Sequence, residues 1–319
     1  MSLSPEWQIF VDAATAAFPA LGTEVHDATA ARAFLAARAV PPVAPIPVAA
    51  VEEWLVPGPD GAPEVPVRLY RPLDAETVPG VVVFYHGGGF VLCSLDSHDR
   101  FCRMMANESG VIVISVDYRR APDDRFPAAA EDAYAVLRWV ADNAESLGGD
   151  PARVAVAGDS AGGNLATVAA LRARDNGGPD IAFQLLLYPM LDPATDSESY
   201  TDNATGYFTT AAHLRWYWRQ YLRADADAEH PYAAPVRADL TGLPPAYIAT
   251  AEFDPLRDEG ETYGRLLHEA GVRVQVQRWD GTVHGFMSMA FHLPETQRAN
   301  AAAFEALRTA LTRPLQASR

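Results

Sequence analysis

Ser160 stands in Gly158-Asp159-Ser160-Ala161-Gly162, a serine between two residues that have no side chain. A serine hydroxyl is a poor nucleophile unless a base removes its proton, so the pattern carries chemistry only where a histidine held by an acid can reach it. Five histidines follow Ser160. His213 falls among aromatic residues at helical spacing, His268 shares a helix with Leu266-Leu267, and His230 and His292 follow no strand. His284, in Asp280-Gly281-Thr282-Val283-His284-Gly285-Phe286, comes shortly after a strand-like run and is in the right place for a base. Among acids, Asp254 in Glu252-Phe253-Asp254-Pro255-Leu256 ends a strand and is favoured, with Asp258 as the alternative. Asp before Pro is also a good helix start, so capping alone would account for Asp254. The glycines of His86-Gly87-Gly88-Gly89-Phe90 follow another apolar run and let the main chain approach a ligand closely. The N–H groups of Gly88, Gly89 and Ala161 are the expected donors to a developing oxyanion, worth roughly 3–4 kcal/mol per donor in a well-studied site. His86 is expected to brace this loop rather than titrate, and Asp159 to fix the serine turn.

These side chains need a scaffold that brings residues 86, 160, 254 and 284 together. Val154–Ala157 reads as a buried strand, and Leu165, Val168 and Ala169 then fall at helical spacing, so Ser160 sits on a strand-to-helix turn. At a helix N-terminus, free N–H groups and the helix dipole favour negative charge. Val81–Tyr85 and Val111–Val116 are unbroken apolar runs, as strands covered on both faces require. Helical segments at about 97–108, 128–146 and 258–270 alternate with these and with strands at Gln184–Tyr188, Ala246–Ala251 and Val272–Trp279. Short strands at Glu52–Val56 and Val65–Arg71 precede them, and a helix from about 295 to 312 follows. The alternation predicts an α/β protein with a mostly parallel sheet and helices on both faces. Residues 1–38 look purely helical, with a second helical stretch through Ala30–Ala39. The proline-rich segment from Val40 to Pro47 reads as a stiff connector. Division into an N-terminal helical segment, 1–45, and a main domain, 46–319, follows, with an aromatic-rich insertion at about 190–230. Its aromatic residues are foremost core packing; Phe208 and Trp216 are the candidates to line a pocket.

Composition removes other chemistries. The chain has 319 residues and a net charge of −16, which argues against nucleic acid and anionic membranes as partners. All 25 basic residues are arginine, so a lysine Schiff base, a Ser-x-x-Lys site and a Gly-Lys phosphate loop are excluded. Cys93 and Cys102 have no metal-ligand spacing, no apolar run approaches membrane-spanning length, and no secretory leader pattern opens the sequence. A cytoplasmic protein without metal or cofactor is expected.

Further motifs lie between and after these: Asp117-Tyr118-Arg119-Arg120-Ala121-Pro122, Leu187-Tyr188-Pro189, Leu243-Pro244-Pro245 and Asp254-Pro255-Leu256-Arg257-Asp258-Glu259-Gly260. With His86–Phe90, Gly158–Gly163 and His284-Gly285-Phe286, they span about 80 to 290, and the chain resembles the bacterial hormone-sensitive lipase family of carboxylesterases, which have the α/β-hydrolase fold. The resemblance implies Ser160 as nucleophile, Asp254 as acid and His284 as base. It also implies a cap built from the N-terminal helices and the insertion, short- to medium-chain small-molecule esters as substrates, and often a homodimer. Members often carry Leu and then Ala-Pro-Glu where this chain has Arg120 and Ala121-Pro122-Asp123, a difference of loop contacts. The same machinery serves amidases and deacetylases, and in plants the fold serves as a hormone receptor whose histidine has been replaced. Here His284 is retained.

Overall fold

The structure, a computed structural model, describes residues 2–37, 44–74 and 78–312. Two helices come first, α1 (Pro5–Ala16) and α2 (Ala28–Ala36), then strands β1 (Ala50–Val56) and β2 (Val65–Arg71). Alternation begins with β3 (Val81–Tyr85), α3 (Leu95–Ser109), β4 (Ile112–Val116), α4 (Ala128–Asn143), β5 (Val154–Asp159), α5 (Ala161–Asp175) and β6 (Phe183–Leu187). Short α6 (Glu198–Asp202) and aromatic α7 (Ala211–Tyr221) interrupt it. It resumes with β7 (Ala246–Phe253), α8 (Arg257–Glu269) and β8 (Val274–Val283), and ends in α9 (Phe286–Met289) and α10 (Pro294–Thr312).

All eight strands form one sheet in the order β1-β2-β4-β3-β5-β6-β7-β8. From β4 to β8 every neighbour is parallel, while β2 runs antiparallel to β1 and β4. The apolar runs of β3 to β6 are buried at every position because helices cover both faces. Alternate side chains divide between two cores, as a period of two requires. Val81, Val83 and Tyr85 join the core of α4, α5 and α8, whereas Val82 and Phe84 join that of α3 and α10. This is the α/β-hydrolase fold.

Several boundaries differ from the sequence reading. The second N-terminal helix stops at Ala36 instead of Ala39. Of the proline-rich stretch, residues 40–43 lie outside the described residues, and 44–47 form neither helix nor strand. The last strand reaches Val283, four residues past Trp279. A bulge between Ala251 and Phe253 carries the pairing on to Phe253–Val283. The bulged Glu252 accepts the Gly281 N–H at 2.7 Å. His284 therefore follows its strand directly. The helix α1 docks Trp7 and Val11 on the α10 side of the sheet, where the Trp7 indole N–H donates to Glu295 at 3.2 Å.

Candidate active site

The strand β5 delivers Ser160 into a tight turn before α5. Ser160 has φ +55° and ψ −120°, a conformation strained for any residue with a side chain. The flanking glycines are there for space. A Cβ on Gly158 would stand 2.1 Å from the Gly162 carbonyl oxygen, and one on Gly162 would stand 1.9 Å from that of Tyr85. The turn is pinned by the Ser160 N–H donating to Leu187 O at 2.9 Å and by the Met190 N–H donating to Ser160 O at 3.0 Å.

Three side chains from the ends of β5, β7 and β8 meet. The Nε2 of His284 lies 3.0 Å from Ser160 Oγ, and its Nδ1 lies 2.7 Å from Asp254 Oδ2. All three are buried, Asp254 completely. The two readings of Asp254 turn out to be compatible. Its second oxygen, Oδ1, accepts the Leu256 N–H at 2.8 Å at the entry to α8, so one carboxylate both fixes the turn and faces the imidazole. Asp258 points elsewhere, to the Ser199 N–H and Arg257. The ring of Tyr188 packs edge-on to His284 with centroids 4.9 Å apart, a contact the sequence did not single out.

Gly88 and Gly89 line the same cavity as Ser160 and His284. Among the described residues, the N–H groups of Gly88, Gly89 and Ala161 donate to no other group. Behind them, His86 is fully buried and stacks on Tyr118 at 4.5 Å, and the Tyr118 hydroxyl donates to the His86 carbonyl at 2.7 Å. Burial lowers the His86 pKa, which keeps the ring neutral and suits a brace. Asp159 turns away from the triad and accepts the Gly87 N–H at 2.8 Å. Its other partner is His98 of α3, unnoticed in the sequence because nothing local links it to residue 159. Burial opposes ionisation of Asp159, but the facing His98 and the Gly87 amide hold its carboxyl below the usual carboxylate range.

Residues 82–288 match a family described as alpha/beta hydrolase fold. The chain is 44% identical to carboxylesterase NlhH of Mycobacterium tuberculosis over 92% of its own length and 93% of the relative's. The chain belongs to the hormone-sensitive-lipase-like α/β-hydrolases. Ethyl acetate hydrolase of Pseudomonas putida is 41% identical, covering 76% of this chain and 78% of the relative. Among solved structures, the hyperthermophilic esterase from the archaeon Pyrobaculum calidifontis superposes with a TM-score of 0.88. It shares 40% identity over 97% of this chain and 99% of that one.

In this hydrolase the cavity over Ser160 has a volume of about 1010 Å³. Phe208 lines it. Trp216 does not: it is 1% exposed, and its indole N–H donates to the His26 carbonyl at 2.8 Å, outside the cavity. The next residue on α7, Tyr217, lines the cavity instead, one helical step of about 100° around the axis. Phe18, in the turn after α1, contacts Phe208 edge-on at 5.4 Å, and both rings line the cavity. From α2, Arg32 donates to the carbonyls of Val91 and Ala121 at 3.1 and 2.7 Å, reaching both loops beside the glycines. Arg120, the residue that departs from the common pattern, donates to the Cys93 carbonyl and braces a loop. The described residues contain no cluster of three or more His, Cys, Asp or Glu able to hold a metal ion, and no helix among them is long and apolar enough to cross a membrane.

Proposed function

We propose that this carboxylesterase works through an acyl-enzyme on Ser160. His284 takes the hydroxyl proton as Ser160 attacks the ester carbonyl, and Asp254 orients the ring and stabilises the imidazolium. The carbonyl oxygen, now carrying the negative charge, is received by the N–H groups of Gly88, Gly89 and Ala161. His284 then protonates the leaving alcohol, and water repeats both steps on the acyl-enzyme. The observation that supports this most is the unbroken contact from Asp254 through His284 to Ser160, at 2.7 and 3.0 Å. A binding-only receptor has no need of that contact.

The same reading takes α1, α2 and residues 190–230 as a cap over the cavity. Short- to medium-chain esters are the proposed substrates, in keeping with a cavity of about 1010 Å³ and with a relative named for ethyl acetate. Cytoplasmic residence is proposed, in keeping with two free cysteines, and the charge of −16 disfavours a nucleic-acid partner. A homodimer is part of the proposal, and a monomeric mass by light scattering removes that part. For the chemistry, Ser160→Ala is expected to lower turnover of p-nitrophenyl butyrate by at least about 10⁴-fold. It should also abolish covalent labelling by a fluorophosphonate. Turnover near that of the wild type would overturn the assignment, and a panel of esters from acetyl to dodecanoyl sets the chain-length range.

A further inference from the structure

A second run of polar side chains lies behind the glycine loop. Asp159 directly precedes Ser160 yet faces the other way: Oδ1 accepts the Gly87 N–H at 2.8 Å. The approach is so close that a Cβ on Gly87 would stand 2.6 Å from Asp159 Oδ2, so the loop has no room for another residue there. His98, 6% exposed in the first turn of α3, points Nε2 at both Asp159 oxygens, 3.2 and 3.3 Å away. Its Nδ1 lies 2.9 Å from Ser97 Oγ. That hydroxyl already donates to the Ser94 carbonyl at 2.8 Å and accepts the Ser94 N–H at 2.9 Å. Both nitrogens of His98 therefore face acceptors, and the ring is held at each end. The tilted rings of Phe84 and His86 also pack against it, with centroids 6.0 and 5.6 Å away.

This run has the residue types of a Ser-His-Asp triad but the wrong arrangement for one. The acid sits on Nε2 and the serine on Nδ1, and the serine proton is already committed to a backbone carbonyl. A different task fits. The Asp159 carboxylate is a buried negative charge one residue from the nucleophile, in the neighbourhood where the oxyanion must form. Unpaired, it would oppose that charge; paired, it can grip the Gly87 amide without doing so.

We propose that His98 is a positioning residue for ester hydrolysis: it holds and neutralises Asp159, which grips Gly87 and so aims the Gly88 and Gly89 N–H groups at the reacting carbonyl oxygen. The proposal rests on the reading of those glycines as oxyanion donors. It predicts a contribution confined to the transition state, because the ester oxygen is charged only there.

The test measures p-nitrophenyl butyrate kinetics, together with inhibition by butylboronic acid, which mimics the tetrahedral state on a serine. In His98→Gln, kcat is expected to fall on the order of 10- to 100-fold with KM within about 3-fold, and boronic acid affinity to fall by the same factor. The double variant His98→Gln/Asp159→Asn removes the stranded charge, while Asn still accepts the Gly87 N–H. It should recover at least about 3-fold of the lost kcat, and a double variant no faster than the single one overturns the account. A merely structural His98 would lower the melting temperature and leave kcat and boronic acid affinity of the folded protein at wild-type values, which also overturns it. Should His98→Gln not fold, Ser97→Ala, at an exposed position, removes the partner of Nδ1 along with the hydroxyl's two bonds to the Ser94 main chain. It should lower kcat about 3-fold at unchanged KM, and wild-type kinetics there overturn the proposal. Fluorophosphonate labelling separates the two levels. A wild-type protein that resists labelling sinks the Ser160 reading together with this one, whereas normal labelling with unaltered His98→Gln kinetics sinks this one alone.

Discussion

The floor of the cavity and its roof are built on different principles. The floor is a set of strand ends: Ser160 after β5, Asp254 after β7, His284 after β8 and the glycines after β3. Each of these is fixed by hydrogen bonds to neighbouring main chain or side chain, and the distances between them are those that proton transfer requires. The roof is a set of helices and turns meeting through rings and aliphatic groups, Phe18 on Phe208 and His213, with Leu214 and Tyr217 beside them. Hydrogen bonds have narrow geometry, so the floor tolerates little change. Apolar packing is non-directional, so the roof can change its lining and still close.

That contrast can be broken or sharpened by substitution. The largest effect after loss of Ser160 itself is expected in the floor. Asp254→Asn keeps an oxygen for the Leu256 N–H, so the fold should survive. It presents the imidazole with the wrong partner, and kcat should drop by about 10³- to 10⁴-fold. A loss of ester turnover below about tenfold would mean that Asp254 is only a helix cap. In the roof, Leu214→Ala removes a side chain that is 1% exposed and lines the cavity. It should lower stability by about 3 kcal/mol, read by urea unfolding, with kcat on butyrate esters within about threefold. The preferred acyl length should shift upward in the ester panel. If short-chain kcat instead collapsed as it does in Asp254→Asn, roof and floor would not be separable.

The smallest effect concerns pH. Burial pushes His213 of α7 down to about 4, whereas a free imidazole titrates near 6.5. The unfolded chain therefore takes up this proton first as pH falls, so the neutral ring favours the fold fully above about pH 6.5. That contribution is lost as pH falls toward 4, amounting to at most about 3 kcal/mol. His213→Gln should flatten the melting temperature between pH 6.5 and 4 relative to the wild type while leaving the floor's kinetics at pH 8 within about threefold. Identical melting profiles for the two proteins would show that the roof does not sense pH through this residue.

How much of this is readable along the chain depends on whether the determinant is local. Gly158, Ser160 and Gly162 announce their turn because its tight geometry leaves no room for a side chain two residues either side of the serine. His284 emerges by elimination, since the other histidines after Ser160 lie on helices or follow no strand. Asp254 was readable too, though as one of two roles that the structure shows to be simultaneous. Trp216 lies outside the cavity lining and Tyr217 within it; α7 carries aromatic residues at three successive positions, 216 to 218, and no periodicity says which of them faces the cavity. His98 escaped notice altogether, 61 residues from Asp159 on a polar first turn.

The sequence by itself determined the order of strands and helices, the strained serine turn and the residue types available for chemistry, because those follow from backbone sterics and hydrophobic period. Only the tertiary structure decided which side of α7 faces the cavity, that α1 docks against α10, and that His98 rather than solvent meets Asp159. Those contacts join residues far apart in the chain, and the packing of whole elements, not any local preference, sets their distances.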